Sequence, residues 1–314
     1  MIEVIFLGTG GSMPTKRRSL PCVLVRRDGE LLMFDCGEGA QRQLTLAKAG
    51  INKKMKIFVS HMHGDHVLGL PGLIQTMALL GRSRELWVYG PKGLKAFLNC
   101  VQETVPFSLT YEIKLREVGE GVVAKGEGYA VEAAWVDHTV PCLGFALVEE
   151  PKPGRFNPAK AKRLGVPEGP LWKKLQTGEP VEVGGRRVEP KEVLGPQRPG
   201  AKLVYSADTR PCRSVERLSR NADLLIFDST FGEEREDKAG EYGHSTCVQA
   251  AKVAKKAGAR RLALTHISPI YEGGEEKLVK QAKKIFKKTF LAEDLMRMEV
   301  RPSARAALAR RAQK

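Results

Sequence analysis

The sequence predicts an α/β fold in which apolar strands stack in layers and finish along a common edge. Three observations lead there. Short β-type apolar runs recur from the first residues, broken by Gly, Pro or charged residues. Two later segments carry apolar residues at helical spacing. Several of the strand-like runs end in His or Asp. At 314 residues the chain could hold two domains or one large domain with an insertion, and the pattern favours the second. Apolar residues at 42% and charged residues at 28% suffice for a sizeable core and argue against global disorder.

The first run, Ile2 to Leu7, leads into Gly8-Thr9-Gly10-Gly11. That spacing is not GxGxxG, and Pro14 follows before a helix could start, so it reads as a tight turn near a site and not as a dinucleotide loop. Its glycines serve either a close approach of backbone amides to phosphate or plain turn chemistry. Further strands are predicted at Pro21 to Arg26, Leu31 to Phe34 and Met55 to Ser60, then before His138, Asp208 and His266. Ser245 and Thr246 can cap a helix running to Lys256 and closed by Gly258. In Glu276 to Lys288, Leu278, Val279, Ala282, Ile285 and Phe286 fall on one face, as expected of a helix covering a sheet. Residues 151–200 hold nine of the 18 prolines and eight glycines, with little periodicity, and read as an excursion from the core. The expected organisation is one domain over 1–302 with this insertion, followed by a basic tail at 303–314.

The segment Phe58-Val59-Ser60-His61-Met62-His63-Gly64-Asp65-His66 runs an apolar strand into three imidazoles and a carboxylate. Imidazole with carboxylate suits zinc, and also manganese or iron. A single histidine is ordinarily a satisfied core or surface side chain. Here the chain has only six, five of which follow strand-like runs, while the sixth, His244, opens a helix in Gly243-His244-Ser245-Thr246. His61, His63, Asp65, His66, His138, Asp208 and His266 are too many ligands for one tetrahedral zinc that keeps a position open, and two metals sharing a bridging group accommodate them.

These residues resemble the metallo-β-lactamase superfamily and, within it, the ribonuclease Z family. The resemblance runs from Ile2 to about Pro302 through FLGTGGSMPTKRR, FDCGEGAQRQL, SHMHGDHVLGLPGL, GRFNPAKAKRLGVPEGPLWKKL, YSADTRP, FDSTF and GHST. It implies an αββα four-layer sandwich with a protruding basic arm and two zinc ions per subunit. Under it His61, His63 and His138 hold one metal, Asp65, His66 and His266 the other, and Asp208 bridges. The implied reaction is hydrolysis of precursor tRNA after the discriminator nucleotide, leaving a 3′-hydroxyl tRNA and a 5′-phosphate trailer. Asp65 would orient and deprotonate the attacking water, and His244 would protonate the leaving oxygen or stabilise the phosphorane. Asp228, in Phe227-Asp228-Ser229-Thr230, stands in for the Glu that orients that histidine in the family. Pro14-Thr15-Lys16-Arg17-Arg18-Ser19 matches the family's PxKxRN loop with Ser19 for Asn, which leaves the treatment of CCA-encoding precursors open, and Ala207 stands where a Gly is usual.

Charge points the same way. The net charge of +16 suggests a polyanionic partner, although a Lys-rich solvated surface would give a similar figure. Between Pro151 and Leu175 seven cations face one Glu and interleave with Phe156, Trp172 and the turn Gly169-Pro170. Arg155, Gly169, Pro170, Lys173 and Lys174, with Lys16 and Arg17, are the candidate tRNA contacts. The resemblance further implies a homodimer whose arm acts across subunits. No apolar run approaches the roughly 20 residues that span a bilayer, so a soluble, cytoplasmic protein is expected. A small-molecule hydrolase of the same fold, or an RNA-binding module without catalysis, are the alternatives. The basic excursion argues against the first and the complete donor set against the second.

Overall fold

The computed structural model describes residues 2–303. The first strands are β1 (Ile2–Gly8), β2 (Cys22–Arg27), β3 (Glu30–Phe34), β4 (Lys54–Phe58), β5 (Leu86–Gly90) and β6 (Ile113–Glu117). Helices α1 (Ala40–Leu46), α2 (Gly64–Val67), α3 (Gly69–Leu79) and α4 (Leu94–Thr104) lie between them in sequence. Then come β7 (Gly121–Gly126), β8 (Tyr129–Val136), β9 (Cys142–Glu149), α5 (Pro158–Arg163), α6 (Pro170–Thr177), β10 (Val181–Val183), β11 (Arg186–Val188) and α7 (Pro190–Val193). The chain continues with β12 (Lys202–Tyr205), α8 (Arg213–Leu218), β13 (Leu224–Asp228), α9 (Glu236–Tyr242), α10 (Cys247–Lys256), β14 (Leu262–Thr265), α11 (Glu276–Ile285), β15 (Thr289–Leu291) and β16 (Arg297–Val300).

Two seven-stranded sheets result, ordered β16-β1-β2-β3-β4-β5-β6 and β15-β14-β13-β12-β9-β8-β7. Side chains alternate across each strand, so Val4 and Phe6 face the opposite sheet while Ile5 and Leu7 face helices. The inner layer joins Val4, Phe34 and Phe58 to Phe145, Leu203 and Ile226. Phe58 stacks on Phe34 and Tyr89, with ring centres 5.3 and 5.0 Å away. Outside, α1 and α3 cover the first sheet and α8, α10 and α11 the second, which makes the αββα order. Burial on both faces explains why these strands read as continuous apolar runs. A buried polar network lies between the sheets: Lys56 Nζ donates to Glu30 Oε1 and to the Tyr129 hydroxyl, each at 2.6 Å.

The predicted strands fall within a few residues of the observed ones, though the run ending at Asp208 leaves the sheet after Tyr205. Helix α10 begins with a capping box, Thr246 accepting from the Gln249 amide and Gln249 from that of Thr246. Helix α11 stops at Ile285, short of the expected Lys288.

Residues 149–200 fall in a second compact unit. The sequence showed little periodicity there, yet the unit is folded. Pro158, Pro170 and Pro190 each open a short helix, where proline's missing N–H costs nothing. Gly184 and Gly185, both at positive φ, turn the β10–β11 hairpin. Ala161, Val166, Leu175, Val181, Val188 and Val193 form its small core, bordered by Phe156 and Trp172 with ring centres 5.2 Å apart. The prolines and glycines thus mark element ends. Of the basic tail, residues 304–314 lie outside the described residues.

Candidate metal centre

Parallel pairing brings the strand ends together. Strands β3, β4 and β5 run parallel, as do β12, β13 and β14, so the residues that follow them emerge on one edge of each sheet. From the first sheet come Asp35 and the His61–His66 segment; from the second, Asp208, Asp228 and His266, with His138 after β8. Their donor atoms, with those of His244, gather in three groups, His61/His63/His138, Asp65/His66/Asp208/His266 and Asp228/His244/His266, the last two sharing His266. All seven predicted ligands are brought together.

Hydrogen bonding fixes which imidazole nitrogen faces inward. Ser60 Oγ donates its single hydrogen to Asp35 Oδ2 (2.8 Å) and therefore accepts from His61 Nδ1 (2.9 Å). His66 Nδ1 donates to Asp35 Oδ2 at 2.7 Å, and His138 Nδ1 to the Gly243 carbonyl at 2.8 Å. Thr230 Oγ1 donates to Asp228 Oδ1 (2.7 Å), so it accepts from His266 Nδ1 (2.7 Å). Four Nε2 atoms are left pointing at the clusters, each ring held by a partner behind it; burial opposes a charged His66, but the Asp208 and Asp35 carboxylates raise its pKa, so its Nε2 must shed a proton to ligate.

The cluster interiors do not satisfy one another. His63 Nδ1 lies 3.0 Å from His61 Nε2 and 3.2 Å from His138 Nε2, and its single possible hydrogen can serve only one of them, so at least one lone pair is left without a donor. Burial pushes the His61, His63 and His138 pKa values down, so these rings are neutral, the form that ligates. His66 Nε2 is buried without a hydrogen-bond partner, 3.2 Å from Asp208 Oδ2 and 3.5 Å from Asp65 Oδ2. Burial alone would raise both carboxylates, but His266 and His66 hold each well below the usual range. Converging imidazole nitrogens, an unpartnered buried nitrogen and two ionised carboxylates fit divalent cations.

Asp228 has a different job. Its oxygens accept from Thr209 N (3.0 Å), Thr230 N (3.0 Å), Thr230 Oγ1 and His244 Nδ1 (2.9 Å), so protein donors already occupy them. Burial disfavours a charged His244, yet the Asp228 carboxylate outweighs it and raises the pKa to about 9. His244 lines a cleft of about 800 Å³ together with His63, Asp65, His138, Asp208 and His266.

Asp35 was not singled out in the sequence. Fully buried, it accepts from Ser60 N and Oγ, His66 Nδ1 and the Tyr205 hydroxyl at 2.6–2.8 Å. The signal was present, since Asp35 also follows an apolar strand. The glycines of this turn also serve packing: a Cβ on Gly8 would meet the Leu20 carbonyl oxygen at 1.7 Å, and one on Gly11 the His266 ring at 2.4 Å. Ala207 adopts φ +55°, where its methyl is disfavoured, as the missing Gly suggested. Lys16 and Arg17 are exposed on the loop whose Ser12, Met13 and Pro14 line the cleft. Arg155, Gly169, Pro170, Lys173 and Lys174 belong to the 149–200 unit, all exposed there.

Residues 2–104 match the family model described as Anti-Pycsar protein Apyc1, and residues 170–267 that of the beta-lactamase superfamily domain. The chain is 51% identical over 300 residues to ribonuclease Z of Methanosarcina acetivorans, covering 96% of this chain and 98% of that protein. It is 44% identical over 302 residues to ribonuclease Z of Archaeoglobus fulgidus, with 96% and 98% covered. Among solved structures, human tRNase Z, short form, superposes with a TM-score of 0.70 at 28% identity, covering 95% of this chain and 99% of that one.

Proposed function

Since the chain belongs to the ribonuclease Z family, we propose a mechanism in which its own residues, with two bound metal ions, remove the 3′ trailer of precursor tRNA. The protein is an endonuclease that hydrolyses the phosphodiester after the discriminator nucleotide. His61, His63 and His138 would hold one ion, Asp65, His66 and His266 the other, with Asp208 between them. Zinc suits this donor set best, and Mn2+ or Fe2+ also fit. When bound, such ions lower the pKa of water and draw charge from the phosphate.

Asp65 aligns the attacking water by accepting its hydrogen. A carboxylate held so far below its usual range is a poor store for a proton, so orientation is its larger contribution, and the proton the water loses is passed on to solvent. His244 carries a proton at neutral pH, and with Nδ1 tied to Asp228 it gives that proton from Nε2 to the 3′-oxygen of the discriminator nucleotide. The P–O3′ bond breaks, the tRNA keeps a 3′-hydroxyl, and the water oxygen stays on the trailer's 5′-phosphate.

Precursor tRNA is gripped by the cations of the 149–200 unit, among them Arg155, Lys173 and Lys174 beside the Gly169-Pro170 turn, and by Lys16 and Arg17 near the cleft. We further infer a homodimer in which that unit serves the neighbouring subunit's cleft, and a cytoplasmic enzyme, where its substrate is matured. The observation that carries the reading of the centre is the four imidazoles pinned through Nδ1 with their Nε2 atoms converging. The test is to map both new ends after incubation with a 3′-extended tRNA, with chelator and with re-added Zn2+, Mn2+ or Fe2+. One cut, lost with chelator and restored by metal, is expected. Undiminished cleavage after complete metal removal would overturn it.

A further inference from the structure

The loop joining β1 to β2 is held by an acid from the far end of the chain. Asp294, between β15 and β16, accepts from Thr9 Oγ1 on Oδ1 at 2.7 Å and from Ser19 N and Gln43 Nε2 on Oδ2, both at 2.7 Å. Gln43 Nε2, from α1, also donates to Ser19 Oγ at 2.6 Å. Arg18 is buried at 7% exposure and turns back over the loop. Its Nη1 donates to Thr9 Oγ1 (2.6 Å) and to the Ala292 carbonyl (2.7 Å). Both ends of the loop are thereby fixed to one carboxylate.

Packing fixes the loop's glycine start and its Leu20 end, and not its outer part. Ser12, Met13, Pro14, Lys16 and Arg17 are all exposed, so hydrogen bonds set the place of that part. Ser12 even holds a left-handed φ of +65°, a conformation that persists only where the surroundings over-determine it. The inner edge of this loop meets the four-donor cluster. Ser12 N donates to Asp65 Oδ2 at 2.9 Å. Gly11 N donates to the Ile267 carbonyl (3.1 Å) and Ile267 N to that of Thr9 (3.0 Å), which seats the Gly11 backbone against the His266 ring. Neither contact reaches the three-histidine cluster.

We propose that Asp294 is a positioning residue for catalysis: by fixing Thr9 and Ser19 it sets the Ser12 amide on Asp65 and the Gly11 backbone on His266. It thereby governs the four-donor half of the centre and not the other half. This rests on the reading of Asp65 and His266 as ligands. The test compares Asp294→Ala with wild type in three measurements: stepwise Zn2+ affinity of the metal-free protein against a chromophoric chelator, kcat at saturating 3′-extended tRNA, and the unfolding midpoint.

One of the two Zn2+ equivalents should bind about 10-fold more weakly or worse. The other should stay within about twofold, and kcat should fall about 10-fold. Equal weakening of both equivalents alongside a lower midpoint would mean a merely structural role, and an unchanged kcat would equally overturn the inference. Asp65→Asn, run in parallel, separates the premises. No effect there would sink the ligand assignment itself, whereas a loss there without one in Asp294→Ala sinks only the role of Asp294. Should Asp294→Ala fail to fold, Thr9→Val removes one of the same bonds and should show the same unequal loss at smaller size, with equal loss again refuting it.

Discussion

At the scale of single residues, the proposed chemistry depends on what stands behind the ligands as well as on the ligands themselves. His244→Ala should retain both metals and lower kcat by roughly 100-fold, the usual scale for a positioned acid. The role as acid, as opposed to charge stabiliser, is checked with a precursor carrying a 3′-bridging sulfur at the cleavage site. A thiolate leaves without a proton, so the variant should recover most of its rate there, and an equally deep defect would refute the acid role. Asp228→Asn should repeat the pattern more mildly, because it removes the charge that keeps His244 protonated. Asp35→Asn places an N–H2 among four donors and should weaken metal binding at the four-donor cluster by about 10–100-fold, readable by zinc competition. The seven donors were legible because each follows an apolar strand in a chain with few histidines. Asp35 follows the same rule, yet a sequence cannot say whether a carboxylate points at a metal or at the back of its ligand. Ser60, Thr230 and the Gly243 carbonyl were beyond reach for a related reason: hydroxyl and backbone partners carry no signature until the fold places them.

At the scale of elements, the excursion was legible as a departure from the core but not as a folded body. Helices of six, eight and four residues are too short to show a period, and their prolines and glycines imitate a loop. Its attachment to the core is informative. β9 and β12 pair antiparallel with Val148 opposite Lys202, so the strand ends flanking the excursion lie side by side. Replacing 149–201 with a two-residue Asn-Gly turn should therefore leave both sheets and both metals in place, whereas cutting out only part of it would expose the Ala161–Val193 core. The replaced protein should bind precursor tRNA more weakly and with a shallower dependence on salt, since fewer counterions are released. Nitrocellulose filter binding across a salt series checks this, and an unchanged slope would remove the unit from the tRNA-binding surface. The individual strands were readable as apolar runs, whereas the αββα layering was legible only through the family resemblance and the strand order required the fold; the end of α11 was not readable, because Phe286 is as apolar as the turn before it and ends the helix only by its extended backbone.

At the scale of the whole molecule, the centre draws each ligand cluster from both sheets: His61, His63, Asp65 and His66 follow β4, while His138, Asp208 and His266 follow strands of the other sheet. Bound ions should therefore stabilise the docked pair of sheets, by about 2.7 kcal/mol per site at a free metal concentration of 100 times Kd. Scanning calorimetry with and without chelator should show a lower midpoint for the stripped protein, and equal midpoints would mean that the metals do not tie the sheets. Neither sheet alone owns a complete ligand cluster, which gives folding a chronology. A chain with one sheet built, or with two sheets docked out of register, possesses every histidine and cannot grip an ion. If the centre binds metal as proposed, capture would come last in maturation, and occupancy would report that the two sheets have docked in register.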